Sequence, residues 1–152
     1  MCRVVPLYLT VCSVLISAAA LGASGLDACA ILSAAEITKV TNIAVGNGAA
    51  GAAIPGVLGR CTWTGPGDTK VVLTLADAPH MQMTVAVQER AGATVVMGVG
   101  SRAVGMKAAA FTGGGYIVSV LDSKGGFGVS VLGPEGTPER ALALARIVES
   151  HR

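Results

Sequence analysis

Residues 107–133 read KAAAFTGGGYIVSVLDSKGGFGVSVLG, and the rest of the architecture follows from how that stretch is parsed. Three short apolar runs, KAAAFT, YIVSVLD and FGVSVLG, are separated by GGG and SKGG. Glycine at such breaks supplies the positive φ that tight hairpin connections need, so the stretch predicts three consecutive antiparallel strands. A sheet built this way must be covered by helices from elsewhere in the chain. The expected class is therefore α+β: a twisted antiparallel sheet with two or three helices packed mainly on one face and one disulfide.

The helices are signalled on both sides of this stretch. Downstream, TPERALALARIVESHR (137–152) places Thr137 as the cap, Pro138 at the first position and Glu139 at the positive end. Leu142, Leu144, Ala145 and Val148 supply its buried face. Upstream, in LSAAEI (32–37), Ser33 can cap the amide of Glu36 while the Glu36 carboxylate reaches back, and Leu32 with Ile37 has the spacing of a hydrophobic staple. That helix is predicted from Ala34 to about Thr41 and ends before Asn47 and its glycines. GNGAAGAAIPGVLG (46–59) then reads as a flexible surface connection.

RCTWT (60–64) and KVVLTLAD (70–77) read as two strands joined at GPGD, with Val71, Leu73 and Leu75 on one face. Trp63, the only tryptophan, is two residues beyond Cys61 and so points to the same side, which predicts packing near that sulfur. The segment DAPHMQMTVAVQ (77–88) supports two readings. Its alternation of Met81, Met83, Val85 and Val87 is that of a strand, whereas Asp77 and Pro79 are a helix start.

Length and composition bound the rest. The 152 residues are 52% hydrophobic but only 3% aromatic, so the core is to be built from Val, Leu, Ile and Ala, and a cross-link is useful to it. A net charge of +2 with 13% charged residues gives no electrostatic footprint for nucleic acid. Part of the mean hydropathy of +0.66 belongs to the N-terminus. Arg3 is the only charge before Asp27, and VVPLYLTVCSVLISAAALGA (4–23) is a long apolar run that ends in small residues. This is the layout of an export signal over residues 1–25, cut between Gly22 and Gly25, which leaves 26–152 as a single domain. The alternative is an uncut segment that stays in the membrane, since about 20 apolar residues can span a bilayer.

Cys2 and Cys12 fall inside that signal, leaving Cys29 and Cys61. An even pair in an oxidising compartment is most simply a disulfide. A competing reading takes LDAC (26–29) as a lipid-attachment box; Leu26 and Ala28 fit it, and the charged Asp27 does not.

Catalytic patterns are sparse. VVMGVGSRA (95–103) satisfies the G-x-G-x-x-A form of a dinucleotide turn through Gly98, Gly100 and Ala103. The helix that such a site needs would carry Gly105 in its interior, and no βαβ series follows, so Gly98 and Gly100 are expected to support a turn and no cofactor is expected. Nucleophilic catalysis could use only His80 or His151 as base. His151 is penultimate, where fraying is expected. His80 has Asp77 nearby, and Ser101 or Ser119 could approach it in space. Two distant histidines and two paired cysteines give no metal-ligand spacing, so no metal is expected. Asp68, Asp77, Glu89 and Asp122 sit beside turn signals or charged neighbours and read as solvated.

In their order, DACAILSAAEI, CTWT, GVGSRA and ERALALARIV resemble a family of small exported actinobacterial (mycobacterial-type) domains of unknown function, many of them lipoproteins. The resemblance covers about Asp27 to Val148. It implies that Cys29 and Cys61 pair and that Asp27 belongs to the domain. It also implies a helix before the Gly-x-Gly turn, which favours the helical reading of Pro79–Arg90. It brings no catalytic residues with it.

The functional expectation is a secreted or cell-envelope binding module without catalysis, whose partner is a protein or a small molecule and not nucleic acid. The membrane would enter only through the N-terminal segment, if uncut or lipidated. One alternative is a secreted hydrolase using His80; the other is a surface protein held by its N-terminus. Cys29 and Cys61 are the expected bridge, with Trp63, Ser33, Glu36, Gly98 and Gly100 in structural roles.

Overall fold

The computed structural model describes residues 26–52 and 54–152. The expected export signal with its cut site, Cys2 and Cys12 lie outside the described residues. The strands are β1 (Ala49–Ala50), β2 (Val57–Thr64), β3 (Lys70–Ala76), β4 (Thr94–Val96), β5 (Arg102–Lys107), β6 (Gly115–Asp122) and β7 (Gly125–Leu132). The helices are α1 (Ala28–Ile31), α2 (Ala34–Thr41), α3 (Ala78–Arg90) and α4 (Pro138–Ser150). All strands join one antiparallel sheet in the order β1-β2-β3-β7-β6-β5-β4. The fold is α+β.

Hairpin logic explains most of this order, because β2–β3, β4–β5, β5–β6 and β6–β7 are neighbours in both sequence and space. The one distant pairing is β3 with β7, from Lys70↔Leu132 to Ala76↔Gly126. It joins an N-terminal ribbon to a C-terminal meander. Since β3 is central and β4 lies at the far edge, the chain between them must cross the sheet, and α3 makes that crossing over β7, β6 and β5.

Alternation in the central strands sorts the faces. Val71, Leu73 and Leu75 of β3, Val118 and Val120 of β6, and Phe127, Val129 and Val131 of β7 are buried together with α1, α2 and α4. That face holds the main core, including Cys61 and Trp63 from β2. Among the described residues the opposite face carries α3 alone, through a small cluster of Ala76, Met81, Val85 and Val104. Three of the described helices thus cover one face and one lies on the other.

The caps act where the sequence places them. Ser33 Oγ accepts from the Glu36 amide at 3.2 Å while the Ser33 amide donates to Glu36 Oε2 at 2.9 Å, a reciprocal capping box. Thr137 caps α4, with Pro138 in its first turn. Asp77 caps α3, so residues 79–90 are helical despite their alternation. On α4 the buried positions are Ala141, Leu144, Ala145 and Val148, while Leu142 is half-buried at the margin.

Three local expectations are corrected. KAAAFT is not a strand: β5 precedes it at Arg102–Lys107, and Ala110–Thr112 form a 3-10 turn with Phe111 92% exposed. The reason is hairpin closure. The Ala108 amide bonds back to the Gly115 carbonyl at 2.9 Å, and the intervening residues turn through Gly113 and Gly114, both at positive φ. Helix α2 spans Ala34–Thr41 as expected, but the residue that stops it is Asn42 and not Asn47, because Asn42 itself takes the left-handed conformation (φ 57°) that asparagine tolerates. The presumed flexible connection at 46–59 is partly ordered. It contributes β1, whose Ala49 and Ala50 pair with Thr62 and Cys61, and the first residues of β2.

Candidate functional site

The cross-link expected from sequence is present: Cys29 and Cys61 are bonded, with Cα atoms 5.1 Å apart, within the range a disulfide spans. It pins the short α1 to β2. Asp27 accepts from the Cys29 amide at 3.0 Å and so caps α1. Trp63 is fully buried on the same face as Cys61. Gly48 seals both: a Cβ there would stand 2.5 Å from Cys61 Sγ and 2.7 Å from Trp63 Nε1. The indole therefore belongs to the core and is not available to stack on a ligand.

Gly98 and Gly100 lie in the connection from β4 to β5 at positive φ (78° and 60°). The segment a dinucleotide helix would need is instead strand β5. The Gly100 amide donates to Glu149 Oε1 on α4, so this turn is tied to the C-terminal helix.

The chemistry-bearing residues gather on the other face. Because α3 covers only part of that face, a half-open cavity of about 170 Å³ remains between helix and sheet. Its floor is set by strand register. Thr74 of β3 pairs with Gly128 of β7, and Gly128 pairs with Ser119 of β6, so a hydroxyl, a bare backbone and a second hydroxyl lie in one row. Ser130 and Ile117 form the next row. Gly128 is what makes the depression, since a Cβ built there would meet nothing nearer than Ser119 Oγ at 3.9 Å.

Helix α3 supplies the wall. His80, Thr84 and Gln88 recur every four residues and so share one side of the helix, with Met81 beside them. Thr84 Oγ1 is spent on the His80 carbonyl at 2.9 Å, a satisfied bond within the helix. Gln88 differs: its Oε1 is fully buried and has no hydrogen-bond partner among the described residues. An unpaired buried carbonyl costs about 1–3 kcal/mol, so Gln88 is a strained point of the cavity wall.

The structure thus brings His80 and Ser119 to the same cavity, and leaves Ser101 outside it with its Oγ donating to the Leu121 carbonyl at 2.8 Å. Asp77 does not orient the imidazole. Its carboxylate accepts from the His80 backbone amide at 2.9 Å, and the His80 ring packs against Gly56, whose Cβ position lies 2.5 Å from Nδ1. No hydrogen bond among the described residues joins the His80 ring to a serine or a carboxylate. Nor do three His, Cys, Asp or Glu side chains among them cluster as a metal site would require. No helix among the described residues is long and apolar enough to cross a membrane.

Sequence reasoning singled out His80 and Ser119 but missed Thr74, Thr84, Gln88, Gly128 and Ser130. The available signal was the alternation in FGVSVL, where Gly128 and Ser130 oppose Phe127, Val129 and Val131. Small and hydroxylated residues on one side of a central strand mark a face that is not packed as core. Expected solvated carboxylates also have partners here. Glu89 accepts from both Arg102 Nε and Nη2, and Asp122 from Arg152 Nη1 at 2.8 Å. A scan against family models, a search of curated proteins and a search of solved structures each found nothing that matches this chain.

Proposed function

We propose that the protein is an exported binding module without catalysis, and that it holds a small molecule in the cavity between α3 and the sheet. One observation carries the reading: the hydroxyls of Thr74, Ser119 and Ser130 converge on a cavity floored by the bare Gly128 backbone and bordered by Met81 and Ile117. A few convergent polar groups in a concave, partly apolar surface are the usual make-up of a small-molecule site. Export is supported by the Cys29–Cys61 bridge, which persists in oxidising compartments, and by the apolar N-terminal run. The motif order, which resembles that of small exported actinobacterial domains, supports the same location.

A second reading, a hydrolase with His80 as base and Ser119 as nucleophile, rests on their sharing one cavity. A ligand-fragment screen by NMR on the oxidised protein separates the two. Shifts confined to Thr74, Ser119 and Gln88 without turnover support the binding module. Hydrolysis of simple esters that disappears in His80→Ala replaces it with the hydrolase, and shifts confined to other surfaces sink both. Intact mass of the protein recovered outside the cytoplasm, with and without reductant, tests export and the bridge together. An uncut chain in the membrane fraction would transfer the reading to the surface-anchored alternative.

A further inference from the structure

We infer that the cavity binds a small uncharged polyol of about monosaccharide size, either a free sugar or the terminal sugar of a glycan; this rests on the proposed binding role. The first argument is charge. Among the described residues no Lys, Arg, Asp or Glu lines the cavity, so a phosphate or carboxylate would find no permanent cation to pair with, only the His80 imidazole, and an ammonium no anion. The second is polarity. Thr74, Ser119 and Ser130 present hydroxyls from three adjacent strands, and the Gln88 side chain borders the same space. An acyl chain seated there would bury these groups unpaired, whereas a ring of hydroxyls donates and accepts in turn.

The third argument is size. At the roughly 30 Å³ that a water takes up in the liquid, 170 Å³ has room for about six waters, which limits the buried part of a ligand to a single small ring. The fourth is the mixed lining. Met81, Ile117 and Ala76 give apolar surface beside the hydroxyls, which suits a molecule with C–H faces and a polar rim. The half-open shape leaves one side of a seated ring in solvent, so a longer glycan can enter by its end.

The test is an NMR titration of the oxidised full chain with D-glucose, D-galactose, D-mannose, myo-inositol and maltotriose, with inorganic phosphate and decanoate as comparison probes. The expected result is saturable shifts at Thr74, Ser119 and Gln88 for at least one neutral polyol at millimolar concentration. Phosphate and decanoate should leave those signals in place. Maltotriose binding at least as tightly as glucose assigns a glycan end; glucose binding alone assigns a free sugar.

Gln88→Leu should weaken binding about ten-fold by replacing the amide on the cavity wall with an apolar side chain. Gly128→Val should abolish it by filling the floor, where a Cβ meets nothing nearer than Ser119 Oγ at 3.9 Å. Shifts at the same residues from phosphate or decanoate alone would overturn the polyol class while keeping the site. Silence at those residues toward every probe would overturn the polyol and the binding role together. Polyol shifts unchanged in both variants would place the ligand elsewhere and overturn this inference.

Discussion

The imidazole Nδ1 of His151 lies 2.8 Å from the carbonyl oxygen of Ile31, 120 positions earlier in the chain. A carbonyl can only accept, so Nδ1 carries the proton and the ring bridges the end of α4 to the end of α1. Its Nε2 faces Glu36 Oε1 at 3.5 Å. The penultimate residue, which the sequence suggests should fray, is instead the clasp between the C-terminal helix and the two N-terminal ones. His151→Ala should cost about 0.5–1.5 kcal/mol in urea unfolding, the net worth of one hydrogen bond. Hydrogen exchange should quicken in the last turn of α4. Unchanged exchange there would show that the clasp contributes nothing.

Acid should weaken the same corner. The Glu36 carboxyl is held below its ordinary value of 4.5, first by the Ser33 hydroxyl and then by the Ser33 amide, with smaller help from His151 and Lys39. A folded-state pKa below the unfolded one means stabilisation that is complete above the unfolded pKa and lost as pH falls through the folded one. Glu139 is shifted the same way by amide and hydroxyl donors at the start of α4. Unfolding free energy should therefore drop as pH falls below 4.5. Glu36→Gln keeps an oxygen for the cap but cannot titrate, so its stability difference between neutral and acid pH should be smaller than in the unmodified chain. An identical difference in both proteins would remove Glu36 from the account.

The bridge and the glycine that seals it make a paired prediction. Closing a loop of 32 residues removes conformational freedom from the unfolded chain, worth about 3–4 kcal/mol in the loop-entropy treatment. Replacing Cys29 and Cys61 together by Ala should lower stability by about that amount. Gly48→Val should destabilise the bridged protein by about 1–3 kcal/mol, because its Cβ would fall 2.5 Å from Cys61 Sγ and 2.7 Å from the indole nitrogen. If the strand pairing at β1 simply shifts to accommodate the valine, the melting curve will not move.

What could be read in the sequence, and what could not, divides along the range of the interactions. The capping box at Ser33 and Glu36, the Thr137–Pro138 start of α4 and the hairpin at SKGG each depend on residues within about four positions, and their residue types declare them. The bridge was legible because only two cysteines remain after the apolar N-terminus. The cavity was not. Thr74, Ser119, Gly128 and Gln88 sit on four separate elements, and only the distant β3–β7 pairing and the crossing of α3 bring them together. Neither can be deduced from local pattern. The strand placed at KAAAFT failed for a related reason: nothing local distinguishes Ala108–Ala110 from the strand residues before them.

Helix α3 is where two local rules conflict, and mutation can show which one governs. Met81, Met83, Val85 and Val87 alternate as a strand would, and in a strand all four would point the same way. On a helix, positions 81 and 85 share one side while 83 and 87 share another. The structure splits them so: Met81 and Val85 are buried, whereas Met83 and Val87 are 61% and 55% exposed. The Asp77 cap and Pro79 start the helix, and Gly126 beneath it leaves room for Met81, whose Cγ lies 2.4 Å from the Cβ position of that glycine. Met81→Ala should thus cost about 2–5 kcal/mol, the usual range for emptying a buried methionine site. Met83→Gln and Val87→Lys, both good helix formers on a wet surface, should change stability by less than about 0.5 kcal/mol. Equal losses at 81 and 83 would mean that the period of two prevails and that α3 does not exist as described.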